Sequence, residues 1–171
     1  MRSLPGSEAN ILINNSGHAC LADFSLLTIA SDKSTVISSW TEGGSIPWMS
    51  PELLDPGKYK LESRPTKASD CYALGMVIYE VLSGERPFAS HPLSAVIRIV
   101  LEGERPERPN GHEGRLFTNG IWEVVELCWD AQPGRRTSAK VVLQCLGPHA
   151  VTARRTPSTF FQFRLENRAH A

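Results

Sequence analysis

The chain has 171 residues, of which 41% are hydrophobic and 21% are charged, an ordinary composition for a soluble globular domain with a buried core. Its 18 basic residues equal its 18 acidic residues, so bulk charge does not favour binding to nucleic acid or to a membrane surface. No run of about 18 apolar residues occurs, and the first residues do not resemble a signal peptide, so we expect neither a membrane helix nor secretion.

The cysteines are spread along the chain without a Cys-x-x-Cys pair, and each lies within or beside an apolar run. They are Cys20, Cys71, Cys128 and Cys145. We expect them to be small core residues instead of disulfide partners or metal ligands, which indicates a reducing compartment and a cytoplasmic location. The histidines show no ligand spacing with each other or with the cysteines, so no zinc site is expected.

The chain begins with the pattern of a β-hairpin. The apolar run at 11–13, the Asn/Gly-rich turn at 14–17 and the apolar residues at 19–22 predict two short strands joined by a tight turn. Residues 28–46 are rich in Ser, Thr and Gly and poor in apolar residues, which predicts a long loop. A loop of that length inside a compact domain is usually functional or disordered.

Helical patterns follow the loop. Ser50 and Pro51 predict the N-cap and the first residue of a short helix. A longer helix is predicted to run to about Ser83, with either Ser69 or Asp70 as its cap. Because the apolar residues of this longer helix lie all round it, we expect it to be central and buried.

Three later segments are amphipathic, because apolar residues recur at helical spacing in each. The first contains Leu93, Val96, Ile97, Val100 and Leu101, the second Ile121, Val124, Val125 and Cys128, and the third Val141, Val142, Cys145 and Leu146. Ser138 is predicted to cap the third helix, and Gly147-Pro148 to end it. No periodicity follows, so residues 149–171 are predicted to be a flexible tail.

Short motifs in the order of a protein kinase domain extend from about Gly6 to Leu146. Asn10-Ile11-Leu12-Ile13 resembles the end of that family's catalytic loop, Leu21-Ala22-Asp23-Phe24-Ser25 its Asp-Phe-Gly motif, and Trp48-Met49-Ser50-Pro51-Glu52 its Ala-Pro-Glu motif. Ser69-Asp70-Cys71-Tyr72-Ala73-Leu74-Gly75-Met76 resembles the start of its buried central helix, and the segment 128–137 its Cys-Trp…Arg-Pro block. The segment 44–49 and the Cys-Trp pair are similar to the tyrosine-kinase-like branch, especially to proteins of mushroom-forming fungi.

The resemblance implies a mainly α fold: the C-terminal lobe of a protein kinase with one short β-hairpin and without the ATP-binding N-lobe. The domain organisation that it implies is a residual N-terminus at 1–5, a kinase-like C-lobe at 6–148 and the flexible tail at 149–171. The 171 residues contain neither a Gly-x-Gly-x-x-Gly motif nor a Val-Ala-Ile-Lys strand. Firm binding of ATP by this chain alone is therefore not expected.

The resemblance assigns metal and cofactor binding to two residues. Asp23 would hold Mg²⁺ against the phosphates of ATP and Asn10 would hold the second metal, and oxygen ligands of this kind suit magnesium. Ser25 replaces the family's glycine, which leaves metal binding possible. Pro5 and Ser7 stand where the family has its catalytic Asp and its phosphate-contacting Lys, so no catalytic residue is retained and the isolated chain is expected to be inactive.

Four further residues receive structural roles from the resemblance: Glu52, Arg136, Asp70 and Trp129. Glu52 and Arg136 are expected to form a buried bidentate ion pair that ties the end of the activation segment to the helical subdomain. Asp70 is expected to accept hydrogen bonds from backbone N–H groups of the catalytic loop. Trp129 belongs to the Cys-Trp block near the end of the domain.

Three interpretations remain open at this point. The first is a fragment, from a truncated gene product or gene model, of a kinase that uses ATP and Mg²⁺ to phosphorylate Ser, Thr or Tyr in protein substrates. The second is a pseudokinase-like module whose helical lobe holds a regulatory protein partner. The third is an unrelated helical protein whose motif matches arise by chance.

Overall fold

The computed structural model describes residues 2–3, 11–16, 18–21, 45–60 and 64–153 of the chain. It divides into two compact units, Met1–Ser138 and Ala139–Ala171, which are described separately below. Most of the predicted loop at 28–46 lies outside the described residues. The described chain is mainly helical, with one antiparallel sheet, as the sequence predicts.

The sheet has three short strands in the order β1-β2-β3, namely Arg2–Ser3 (β1), Ile11–Ile13 (β2) and Ala19–Leu21 (β3). β2 and β3 are the predicted hairpin, with Leu12 opposite Cys20. Asn14 shapes the turn between them, because its Oδ1 accepts hydrogen bonds of 2.9 Å from the backbone N–H groups of Ser16 and His18. β1 was not predicted, since a strand of two residues carries no alternation pattern.

Helices form most of the remaining described chain. Their bounds are Pro51–Leu54 (α1), Pro56–Tyr59 (α2), Lys67–Ser83 (α3), Leu93–Leu101 (α4), Gly111–Gly114 (α5), Asn119–Cys128 (α6) and Ala139–Ala153 (α7), with 3-10 turns at Ile46–Trp48 and Pro133–Arg135. α1 begins after Ser50, as predicted. α2 was not predicted; Asp55 caps it by accepting a hydrogen bond from the backbone N–H of Lys58 at 3.0 Å.

α3 begins earlier than predicted, because Thr66 is its N-cap in place of Ser69 or Asp70. Thr66 Oγ1 accepts a hydrogen bond from Ser69 N at 3.1 Å, and Ser69 Oγ accepts one from Thr66 N at 2.7 Å, so the two residues form a capping box. α3 buries Tyr72 completely, but Val81 near its end is 39% exposed. Burial all round the helix is therefore not found within the described chain.

α3 packs against α6 through a close backbone approach at Gly75. A Cβ atom on Gly75 would lie 2.7 Å from Cys128 Cβ, so this contact requires a residue without a side chain. α6 buries all the residues that its periodicity predicts: Ile121, Val124, Val125 and Cys128. Burial, together with the neighbouring Cys71, raises the pKa of the Cys128 thiol to about 12. Both of these cysteines are core residues, as predicted.

α4 extends over the periodic segment predicted from the sequence, from Leu93 to Leu101. Its apolar face packs against the 3-10 turn Ile46–Trp48 and against α1. Its buried residues are Val96, Ile99 and Val100, whereas Leu93 is 40% exposed. The buried face is therefore rotated slightly from the predicted one, because it includes Ile99. None of the helices in the described segments is long and apolar enough to cross a membrane.

The second unit contains α7, which continues through Gly147-Pro148 to Ala153. The predicted stop at these two residues is wrong, and the helix extends into the segment assigned to the flexible tail. A proline ring crowds the Cβ of the residue before it, and here that residue is a glycine, which has none. Cys145 is exposed on α7, so its predicted place in a core is also wrong, whereas Val142 is buried.

Candidate functional site

The residues predicted to bind metal and ATP, Asn10 and Asp23, lie outside the described residues, as do Pro5, Ser7 and Ser25. Nothing in the described geometry therefore tests those assignments. Within the described segments, no group of three or more His, Cys, Asp or Glu side chains could hold a metal ion.

Glu52 and Arg136, 84 positions apart, are in contact. Arg136 Nη1 lies 2.6 Å from Glu52 Oε1, and Nη2 lies 2.7 Å from Oε2, so the guanidinium grips the carboxylate through two parallel hydrogen bonds. The Arg136 side chain is 0% exposed and the Glu52 side chain 4% exposed. The buried bidentate contact that the sequence predicts is present.

The environment of Glu52 keeps its carboxyl charged. Burial by itself raises the pKa of this group, but the hydrogen bonds and the positive charge of Arg136 hold the pKa below its ordinary value. Glu52 also stands in the first turn of α1, where the partial positive charge of the helix N-terminus favours a carboxylate. Glu52 is therefore a carboxylate at neutral pH.

Arg136 also binds two backbone carbonyls. Its Nε donates to Asp130 O at 2.8 Å, in the segment after α6, and its Nη1 donates to Ala68 O at 3.0 Å, in the first turn of α3. One guanidinium thus joins α1, α3 and the chain that leaves α6. Arg135, next to it, is exposed.

Two guanidinium groups contact the ring of Tyr72, which is fully buried. Arg136 Cζ lies 5.1 Å and Arg105 Cζ 5.2 Å from the ring centroid. Burial raises the pKa of Tyr72 far above its ordinary value, and its Oη has no hydrogen-bond partner among the described residues. Sequence reasoning did not single out Arg105, because arginines are common in polar segments such as 102–108 and no local pattern places one over a distant ring.

Trp129 lies in a closed ring of four aromatic side chains, with Tyr79, Phe117 and Trp122. Successive ring centroids are 5.6–6.1 Å apart, in tilted or edge-on orientations. Trp129 is 4% exposed, and its carbonyl accepts a hydrogen bond from Arg105 Nε at 2.9 Å. The cluster therefore connects to Arg105, one of the two arginines that contact Tyr72.

Asp70 stands in the first turn of α3 and is exposed in the described chain. Partial removal from water raises the pKa of its carboxyl. The catalytic-loop residues expected to donate to it lie outside the described residues. Its structural role thus stays a prediction.

Comparison with known proteins shows which family the chain belongs to. The model of the protein tyrosine and serine/threonine kinase family matches residues 7–146, most of the chain. The chain belongs to that family. The third interpretation, an unrelated helical protein with chance motif matches, is therefore wrong.

Relatives of this kinase-family chain include the serine/threonine-protein kinase VIK of Arabidopsis thaliana, which is 32% identical over 141 residues, 80% of this chain and 30% of the relative. The serine/threonine-protein kinase KIC1 of Saccharomyces cerevisiae is 29% identical over 136 residues, 80% of this chain and 12% of the relative. A light-sensor protein kinase of Ceratodon purpureus is 36% identical over 141 residues, 75% of this chain and 10% of the relative. The chain thus spans less than a third of the length of each of these three relatives.

Proposed function

We propose that this chain supplies the helical part of a protein kinase domain, and that the natural protein carrying it transfers the γ-phosphate of ATP to Ser or Thr in protein substrates. The observation that carries the proposal is the buried contact between Glu52 and Arg136. It joins the two motifs that the resemblance pairs, across 84 positions, and no local pattern would bring these residues together. Relatives named as serine/threonine kinases favour Ser or Thr over Tyr as the acceptor.

Asn10 and Asp23 are the residues of this chain that would hold Mg²⁺, which neutralises phosphate charge during transfer. Amide and carboxylate oxygens are ligands that suit this ion. In the described sheet Ile11 pairs with Leu21. These residues lie one and two positions from the two candidate ligands in sequence, which supports a shared role.

We also propose that the 171 residues alone are inactive. Pro5 cannot accept a proton and Ser7 carries no positive charge, so this chain lacks the chemistry of the catalytic Asp and of the phosphate-contacting Lys at these two positions. The natural protein that we propose to be active would have an Asp and a Lys where this chain has Pro5 and Ser7, as expected if the chain comes from a truncated gene product or gene model. The interpretation as a pseudokinase-like scaffold has no described contact in its favour. Membership of the tyrosine-kinase-like branch, and the likeness to proteins of mushroom-forming fungi, rest on the segment 44–49 and on Cys128-Trp129 and stay predictions.

Phosphate transfer from labelled ATP tests the proposal in two preparations, the natural protein purified from its source and the isolated 171-residue chain. We expect the natural protein to label a protein substrate on Ser or Thr, and the isolated chain to give no signal above a heat-killed control. Asp23→Asn should abolish labelling by the natural protein, whereas Glu123→Gln, an exposed change on α6, should not. A natural protein without activity, or one indifferent to Asp23→Asn, would contradict the proposal.

A nucleotide-binding measurement adds a readout that is independent of turnover. Because Asp23 and Asn10 are the only ligands proposed here, millimolar MgATP should leave the melting temperature of the isolated chain unchanged. A ligand at about 100 times its dissociation constant would add roughly 2.7 kcal/mol, which is a large shift for a chain of this size. A clear rise in melting temperature would show that the isolated chain binds nucleotide after all.

A further inference from the structure

The loop between α3 and α4 contains a bulky residue with an unusual backbone conformation. The loop follows Gly84, the C-cap of α3, and extends to Pro92, the N-cap of α4. Within it Phe88 has a φ of 56°, in the left-handed region that a residue with a large side chain seldom adopts. Phe88 is 6% exposed, and Pro87 before it is also buried. Such a conformation persists only where surrounding contacts hold it in place.

Arg86 provides contacts of this kind along the loop. Its Nη1 donates hydrogen bonds to Pro87 O at 3.3 Å and to Phe88 O at 3.2 Å. Its Nη2 donates to Ala89 O at 3.4 Å and to His91 O at 2.8 Å. Four carbonyl oxygens of the segment 87–91 therefore lie around one guanidinium group.

The chemistry of this group of oxygen atoms favours a cation. Carbonyl oxygens carry partial negative charge, and sets of them bind metal cations in other proteins. The hydrogen bonds described for the Arg86 side chain go to these carbonyls, so the guanidinium is the cation at this position. A guanidinium has five N–H donors in one plane, whereas a lysine ammonium has three donors on a single nitrogen. Arginine therefore reaches more of these acceptors at once than lysine would.

The same loop leads directly into α4. His91 N donates to Phe88 O at 3.0 Å, so this carbonyl accepts hydrogen bonds from both the backbone and Arg86. Ala95 N donates to Pro92 O at 2.9 Å in the first turn of α4. The amides of His91 and Ala95 therefore report on the loop and on the start of the helix that follows it.

We infer that residues 87–91 form a cation-binding loop that is filled by the chain's own Arg86, whose guanidinium fixes the left-handed conformation of Phe88 and the start of α4. Arg86 is a positioning residue in this inference, because it acts through the backbone of the loop. The inference goes beyond the proposed function, since it requires neither ATP nor a protein substrate. It has a specific consequence: free guanidinium ion should replace the arginine side chain in a variant that lacks it.

The test is nuclear magnetic resonance of the 171-residue chain, which requires no catalytic activity. Amide hydrogen exchange is followed at His91 and Ala95, with residues 124–125 in α6 as the reference. Arg86→Ala removes the guanidinium, and Arg86→Lys keeps a positive charge with fewer donors in reach. Arg135→Ala, which removes an exposed arginine and changes the net charge equally, is the matched control.

With Arg86→Ala, we expect exchange at His91 and Ala95 to rise about tenfold or more relative to residues 124–125. About 50 mM guanidinium chloride, far below denaturing concentrations, should reverse at least half of this rise, and sodium chloride at the same concentration should not. Arg86→Lys should give an intermediate rise and Arg135→Ala none. Unchanged exchange in Arg86→Ala, an equal rise in α6, native exchange in Arg86→Lys or equal effects of the two salts would overturn the inference.

A measurement on the native chain decides the matter if Arg86→Ala does not fold. A guanidinium held by several acceptors rotates slowly, so the Nη protons of Arg86 should give separate resonances that exchange with water about tenfold more slowly than those of Arg135. Averaged Nη resonances for both arginines would overturn the inference. None of these readouts involves phosphate transfer, so this inference and the proposed function can fail separately.

Discussion

Two arginine–glutamate pairs of this chain have similar hydrogen-bond lengths and different surroundings. Arg136 and Glu52 are separated by 84 positions, meet at 2.6 and 2.7 Å, and have side chains that are 0% and 4% exposed. Arg98 on α4 and Glu102, which caps the end of that helix, are four residues apart, meet at 2.9 and 2.7 Å, and are 67% and 48% exposed. From bond length alone, the two pairs would be expected to contribute about equally to the free energy of unfolding.

The surroundings separate the two pairs. The Arg136 guanidinium also binds the carbonyls of Ala68 and Asp130 and contacts the Tyr72 ring, whereas the side-chain hydrogen bonds described for Arg98 go to Glu102. Water and salt screen the exposed pair, and loss of one partner there leaves a charge that water can hydrate. Loss of one partner of the buried pair leaves an uncompensated charge inside the protein. The comparison therefore predicts unequal effects from the same kind of substitution.

The largest expected effect is at the buried pair. Glu52→Ala and Arg136→Ala should each lower the free energy of unfolding by about 3–5 kcal/mol, because each leaves a buried charge without its partner. The double variant should lose clearly less than the sum, since both changes remove one interaction. Urea unfolding of the four proteins measures this cycle, and strictly additive losses would refute the coupling.

The same pair predicts an acid-dependent loss of stability. The pKa of Glu52 is below its ordinary value of 4.5 in the folded chain, so its contribution is complete above about that pH and is lost as the pH falls through the folded pKa. The free energy of unfolding should therefore decline more steeply below pH 4.5 in the native chain than in Glu52→Gln. Parallel pH profiles for the two proteins would show that the carboxylate does not carry this dependence.

A substitution in α3 tests a loss of stability that comes from packing and not from charge, for comparison with the loss expected at the buried pair. Gly75→Ala should destabilise the chain by about 1–3 kcal/mol, because the new Cβ would meet Cys128 Cβ at 2.7 Å and force α3 and α6 apart. Gly120→Ala, in the first turn of α6, is the matched control, since its Cβ would meet nothing within 4 Å. Thermal unfolding of both variants is the measurement, and equal midpoints would contradict the close approach.

A smaller effect is expected at the hydroxyl of Tyr72. Tyr72→Phe keeps the ring between Arg105 and Arg136 and removes an oxygen that has no described hydrogen-bond partner. It should raise the free energy of unfolding by up to about 1 kcal/mol, because an unsatisfied buried hydroxyl is unfavourable. Tyr72→Leu, which loses both cation–ring contacts, should instead destabilise. A loss of more than about 1 kcal/mol in the phenylalanine variant would reveal a hydrogen bond to the hydroxyl.

The smallest effect is expected at the exposed pair. Arg98→Ala should change the free energy of unfolding by less than about 0.5 kcal/mol, because exposed pairs one turn apart contribute little and the order Arg before Glu is the weaker one. The difference between Arg98→Ala and the native chain should vanish in about 1 M salt. An effect as large as that of Arg136→Ala would break the comparison between the two pairs.

Local pattern was sufficient for several elements of the fold. The hairpin of β2 and β3, the bounds of α4 and the buried face of α6 follow from apolar residues at spacings of two, three and four, which depend on near neighbours in sequence. The contact of Glu52 with Arg136 was predictable only through the family motifs. Residue type and spacing alone contain no signal that joins positions 84 apart.

Other features depended on which groups meet in space. Thr66 displaced Ser69 and Asp70 as the cap of α3 because its hydroxyl and that of Ser69 satisfy each other's backbone N–H groups. When several residues near the start of a predicted helix can act as its N-cap, the sequence pattern does not show which of them does. Gly147-Pro148 did not end α7, although a proline inside a helix removes one backbone hydrogen bond and crowds the carbonyl four residues earlier. The glycine before it removes only the additional clash with a Cβ atom.

The sequence by itself determined the family, the hairpin and the helical character of the chain, since these follow from motifs and from short-range periodicity. Only the tertiary structure placed Arg105 and Arg136 on Tyr72 and Glu80 beside Trp48. A buried charge depends on the partner that replaces its water, and that partner comes from a different segment of the chain. Periodicity along one helix shows where a polar residue interrupts an apolar face, but the residue that satisfies it is set by the packing of the helices.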